Sequence, residues 1–189
     1  MLVVLAILAC LSGCLNSERG TSVWDRADRK TTRLEPDRFP ELPPAVASEL
    51  TRRGCTIPQT FVQQKPHNVI SGRFRNRAQL DWAVLCSVNR VSTILVFWAG
   101  SARDVVELAK RPDAGDLQAT EEKVDENSIR YSRYIATAQE ETILQSRSVY
   151  EAPGYPPITH EGIEDGFAEK GSDVQYWHDG RWHELPGAD

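Results

Sequence analysis

The sequence predicts an α+β fold: a short N-terminal helix packed on a mainly antiparallel meander sheet that ends in a C-terminal hairpin. Three observations carry this. Residues 80–87 and 93–98 form two almost continuously apolar runs rich in Val, Ile, Leu, Phe and Trp, which suit central strands. Residues 45–53 carry apolar side chains at helical spacing between Pro43-Pro44 and Gly54. Asp179-Gly180 lies between two groups of strand formers, a strong hairpin signal.

Each element follows in order. Proline is favoured in the first helical turn, so Pro44 opens the helix; Val46, Leu50 and Ala47 share a face, and Gly54 caps the end in a left-handed conformation. Strands are expected over 67–74, 80–87 and 93–98, with hairpin links at Arg75-Asn76-Arg77 and Val88-Asn89-Arg90. Residues 105–109 suit either a short strand or a helical turn. The charged stretch 113–127 reads mostly as loop, and 129–136 as a strand of period-two alternation. Pro153-Gly154-Tyr155-Pro156-Pro157 is a break. In the closing hairpin two registers compete. One pairs Trp177 with Trp182 across a two-residue turn. The other pairs Trp177 with Arg181 through a glycine bulge, gathers Val174, Tyr176 and Trp182 on one face, and is preferred here for that apolar stripe.

The chain has 189 residues, 40% of them hydrophobic, with five tryptophans, enough for one domain with a real core. Its formal net charge of −5 leaves no basic excess for a phosphate backbone, so no nucleic-acid partner is expected. Three segments are expected: 1–13, 14–41 and 42–189. The second is polar and charged and reads as a flexible tether; the third is the globular domain.

The first segment carries the clearest motif. Leu2-Val3-Val4-Leu5-Ala6-Ile7-Leu8-Ala9-Cys10-Leu11 is shorter than the roughly 20 residues a membrane-spanning helix needs, and has the length of a signal-peptide core. Ser12-Gly13-Cys14 follows, with no Lys or Arg before the run. Leu11-Ser12-Gly13-Cys14 resembles the lipobox of bacterial lipoproteins. The resemblance implies cleavage before Cys14, acylation of Cys14 by palmitate-type chains, and an extracytoplasmic, lipid-anchored protein of the cell envelope. Leu15, in place of the Asp that signals inner-membrane retention in that family, implies the periplasmic face of the outer membrane if the host is Gram-negative. Export would leave Cys55 and Cys86 as an even pair in an oxidising compartment, which reads as a disulfide. Two free thiols or a two-ligand metal site are the alternatives, the latter disfavoured because no Cys-x-x-Cys is present.

Gly72-x-Phe74 followed by Asp81-Trp82-Ala83-Val84-Leu85 resembles one FG-GAP repeat. That resemblance implies the hairpin alone. Where the repeat binds calcium, this chain has Arg73 and Arg75-Asn76-Arg77-Ala78-Gln79, and guanidinium groups repel a hard cation.

Candidate chemistry is sparse. His160 stands beside Glu161 and near Glu164, a pairing that suits a general base or a metal ligand. His-Glu-x-x-His, Gly-x-Ser-x-Gly, Ser-x-x-Lys and the nucleotide-binding glycine motifs are absent. His178 and His183 flank the hairpin turn. Trp82, Trp98, Trp177 and Trp182 read as core, with a glycan platform as the exposed alternative. The expectation is a non-catalytic, lipid-anchored module that binds an envelope protein or glycan, with no cofactor and no metal. The alternative is an envelope hydrolase or metal-dependent enzyme using His160 with Glu161 or Glu164. A third reading, inhibition of a periplasmic enzyme, would use a protruding 113–127 loop.

Overall fold

The computed structural model describes residues 22–150 and 154–187. The signal-like run and Cys14 lie outside them. Among the described residues are three helices and twelve strands in four antiparallel sheets, an α+β arrangement dominated by sheet.

The expected tether over 14–41 is folded from Ser22 onward. Ser22 caps α1 (Val23–Lys30) through a reciprocal pair of bonds with Asp25, and the helix ends on Arg29 and Lys30, which suit its dipole. Ala27 and Asp28 are buried. The segment is polar, and it is tied down by ion pairs as well as by a few apolar side chains, Val23 and Ala27 packing into one core cluster and Leu34 and Phe39 into another. Arg33 at the start of β1 (Arg33–Leu34) reaches both Asp28 and Asp113. Burial works against the charged Arg33, but its bonds to Asp113 and Asp28 outweigh burial and raise its pKa. A composition argument sees the missing hydrophobes and not these distant partners.

The helix α2 (Pro44–Arg53) forms as the prolines and Gly54 predict, with Gly54 left-handed at φ 70°. Its buried Val46 and Leu50 pack against Val84, Leu95 and Phe97 of the first sheet. β2 (Ile57–Pro58) pairs with β1. Cys55 and Cys86 are joined in a disulfide, their Cα atoms 5.2 Å apart. The bridge pins the end of α2 to the strand carrying Cys86.

That strand belongs to a meander of β3 (Val69–Gly72), β4 (Asp81–Val88), β5 (Val91–Phe97) and β6 (Val106–Pro112). The β4–β5 turn is two residues, Asn89 and Arg90, both at positive φ. Of the ambiguous stretch 105–109, residues 106–109 are strand, with a register shift against β5 and Ala109 at φ 48°. Both faces of β4 and β5 are covered, which is why their sequences lack polar alternation. Val84, Cys86, Leu95 and Phe97 face α2; Ala83, Leu85, Ile94 and Val96 face the second sheet.

Residues 129–136 do not form one strand. β8 (Ile129–Tyr131) pairs with β7 (Leu117–Ala119), whereas β9 (Arg133–Ala138) joins a different sheet; Ser132 separates them. α3 (Glu140–Tyr150) is an element the sequence analysis did not anticipate: Ile143 is buried while Leu144 is exposed, too thin an apolar stripe to announce a helix. The second meander orders β9, β10 (Gly162–Phe167), β11 (Gly171–His178) and β12 (Arg181–Pro186). α3 contributes Ile143 to its outer face, with Val174, Tyr176 and Leu185.

The closing hairpin corrects the preferred register. Trp177 pairs with Trp182, and His178 with Arg181, across a two-residue turn in which Asp179 and Gly180 have φ of 48° and 77°. Such a turn matches strand twist without a bulge. The apolar stripe that favoured the bulge exists in another form: Val174, Tyr176 and Leu185 on one face, and Trp177 and Trp182 on the other against Trp98.

The two meanders are joined through Asn68, fully buried at φ 71°. Its side-chain amide donates to Pro58 O, its side-chain oxygen accepts from Ile135 N at 2.9 Å, and its backbone carbonyl accepts from Leu85 N at 2.9 Å. Deeper in the interface, Arg133 is completely buried and bonds Asp165 and Ala109 O. Arg111 joins the network through Asp116 and Asp165.

Candidate functional site

Pro58 and Pro66 bracket a polar stretch that cannot continue the ladder. Its shape is held by two side chains. Gln59 closes it like a rung of sheet: its amide oxygen accepts from His67 N at 2.9 Å, and its amide nitrogen donates to His67 O and Ile57 O, each at 3.0 Å. The His67 ring turns inward. Its Nε2 accepts from Thr60 N at 2.7 Å and its Nδ1–H donates to Lys65 O at 2.9 Å, which assigns the tautomer. Burial pushes the His67 pKa below the ordinary histidine value, opposed by the bond to Lys65 O. Phe61 N then donates to Tyr131 O, tying the loop to β8.

Between this loop, the C-terminal half of α1 and β8 lies an open groove of about 460 Å³. Four cationic side chains line it: Lys30, Arg38, Lys65 and Arg130. Its one carboxylate, Glu126, is spoken for. Lys30 Nζ donates to it at 2.6 Å, Arg26 pairs with its other oxygen, and these partners, Lys30 first, hold its pKa below the usual carboxylate range. Arg38, Lys65 and Arg130 have no ion-pair partner among the described residues. Thr60, only 4% exposed, lines the groove with its hydroxyl unpaired. Tyr131 contributes a buried ring; burial, and then Asp116 nearby, drive its phenol far above its ordinary pKa, so it stays protonated. A second hollow of about 420 Å³ lies over the disulfide, between Val88, Thr93, Leu95 and Lys110.

The residues singled out from sequence lie elsewhere. His160 is buried and stacked on Tyr176, ring centres 4.5 Å apart, and its Nδ1 faces Glu161 O at 2.9 Å. The two carboxylates are engaged away from it: Glu161 accepts from Arg73 N, and Glu164 from the Tyr134 hydroxyl. Tyr134 is correspondingly raised, by burial first and Glu164 second. His178 and His183 share a face with ring centres 6.2 Å apart, and Arg181 Nε donates to His183 Nε2. Among the described residues no three or more His, Cys, Asp and Glu side chains converge as metal ligands.

Trp98, Trp177 and Trp182 form one half-buried cluster, with Trp98 stacked on Trp182 at 5.7 Å and Arg75 over the Trp98 ring. In the FG-GAP-like hairpin the Asp81 carboxylate accepts from Arg75 N and Ala99 N and from the Gln79 amide, so it closes a loop. Gly72 is required there: a Cβ would stand 2.5 Å from the Phe74 ring. The 113–127 stretch is partly built into the fold, with Asp113 and Asp116 buried at its start.

Sequence reasoning missed the groove because one wall is α1 and the residues after it, which composition assigned to a tether. The signals that could have found it were the two prolines enclosing Gln63-Gln64-Lys65 and a histidine placed to close the loop. Comparisons with known protein families, with curated proteins and with solved structures found no match for this chain.

Proposed function

We propose that this chain is a non-catalytic binding module of the bacterial cell envelope, held at a membrane through acylated Cys14, with the groove under loop 59–67 as its ligand seat. The observation that carries the reading is the groove's construction. Gln59 and His67 fix one wall, and Lys65, Arg130 and Arg38 line the groove with no ion-pair partner among the described residues. A rigid wall lowers the ordering that binding requires. The Cys55–Cys86 bridge supports an oxidising compartment, where such bonds persist. No helix among the described residues is long and apolar enough to cross a membrane, and an acylated cysteine supplies attachment without one.

Two measurements test this. Metabolic labelling with an alkyne fatty acid is expected to mark the wild-type chain and not Cys14→Ala; an unlabelled wild-type chain sinks the anchor. Hydrogen exchange of the full chain with envelope extract is expected to protect 59–67. Absence of protection there, with protection elsewhere, removes the groove as the seat.

A further inference from the structure

We infer that the groove takes a small anionic sugar, one bearing a phosphate or carboxylate group. This rests on the groove being the ligand seat and goes further by naming the ligand's chemistry.

Charge decides the first half. The whole chain carries −5, yet this groove gathers four cations and a single carboxylate. That carboxylate is paired with Lys30 of the groove and with Arg26 beside it. Arg38, Lys65 and Arg130, with no ion-pair partner among the described residues, therefore leave the groove's lining with a positive excess, and a concave surface concentrates such a field on an incoming anion.

The remaining lining decides the second half. Thr31, Thr32, Gln63 and Gln64 are neutral groups that both donate and accept, as a polyol requires. Phe61, half-buried, offers a ring to the C–H face of a pyranose. A volume of about 460 Å³ falls within the range of small-molecule sites. A bare inorganic anion would use the cations and leave this neutral wall idle; a neutral sugar would use the wall and leave the positive excess unmatched.

Calorimetry and amide chemical-shift mapping on the full chain test the inference with four probes: glucose 6-phosphate, glucuronate, inorganic phosphate and glucose. The expected result is binding of one or both anionic sugars, weakened by added salt, with shifts at 59–67 and 126–131. Lys65→Ala and Arg130→Ala are each expected to weaken affinity about fivefold, and the pair about 25-fold if independent. Lys65→Arg retains it. These side chains are exposed, so folding is preserved. Equal affinity for glucose, equal affinity for inorganic phosphate, or an unchanged affinity in the double variant overturns the inference. Silence toward both anionic sugars, alongside protection of 59–67 by envelope extract, overturns it while leaving the broader binding reading intact. Silence in both experiments overturns both.

Discussion

His67 shows how one side chain can hold the wall of a groove from behind. It must be neutral: Nε2 accepts from Thr60 N only when unprotonated. Burial lowers its pKa in the fold, so the unfolded chain takes up the proton first. Stability is undisturbed above about pH 6.5, where both states are neutral, and falls as pH drops below that value. Urea unfolding should therefore show an extra acid-side loss in the wild-type chain that His67→Gln lacks. His67→Leu, which strands Thr60 N and Lys65 O, should lower stability by about 1–2 kcal/mol at neutral pH; an unchanged urea midpoint would contradict this. The sequence offered His67 only as one histidine of four. Its role depends on Thr60 and Lys65 curling back around it, and loop geometry of that kind leaves no periodic trace.

At the scale of elements, α2 was legible because its signals were local, proline at the start and glycine at the end, whereas its bridge was read from the distant N-terminal run, whose implied export left Cys55 and Cys86 as an even pair. The 31-residue separation of Cys55 and Cys86 predicts that the disulfide contributes roughly 3–4 kcal/mol by restricting the unfolded chain. Cys55→Ala/Cys86→Ala should lose about that much in urea unfolding, with the m-value raised because the unfolded chain expands further. A double variant as stable as the wild type would show that packing of α2 on Val84 and Leu95 suffices. α1 was illegible for the opposite reason. Its capping box, Ser22 with Asp25, and the Asp28–Arg33 pair are local, but its other ion pairs are distant, with Arg26 and Lys30 reaching Glu126 and Asp28 reaching Arg90, and nothing near it in sequence names those. The hairpin register failed for a third reason. The preference followed one apolar face, whereas the strand is covered on both.

At the scale of the whole molecule, two meanders are coupled through Asn68 and a buried charge network. Asn68 mimics a missing ladder rung, which lets two strand edges meet without continuous pairing. Asn68→Ala should cost about 2–4 kcal/mol, since Ile135 N–H loses its acceptor in a dry interface and alanine resists φ 71°. Asn68→Gly separates these effects: it keeps the backbone angle and should be less damaging than alanine by roughly 1 kcal/mol. Equal losses would mean the backbone angle is unimportant. The network beside it pairs Arg133 and Arg111 with Asp165 and Asp116; burial first, against the pull of Arg111, raises the Asp116 pKa. The twelve strands among the described residues outnumber the runs legible in the sequence, because short pairs such as β1–β2 and β7–β8 are defined by their partners rather than by composition. The bulge at Ala109 has a consequence beyond its own strand. It disturbs the outward side of β6, which further carries Lys110, Arg111 and Pro112, while the opposite extremity, β12, carries Arg181, Glu184 and Pro186. Neither border is a good template for a foreign strand. Copies crowded together on a surface would have little means of zipping into fibres.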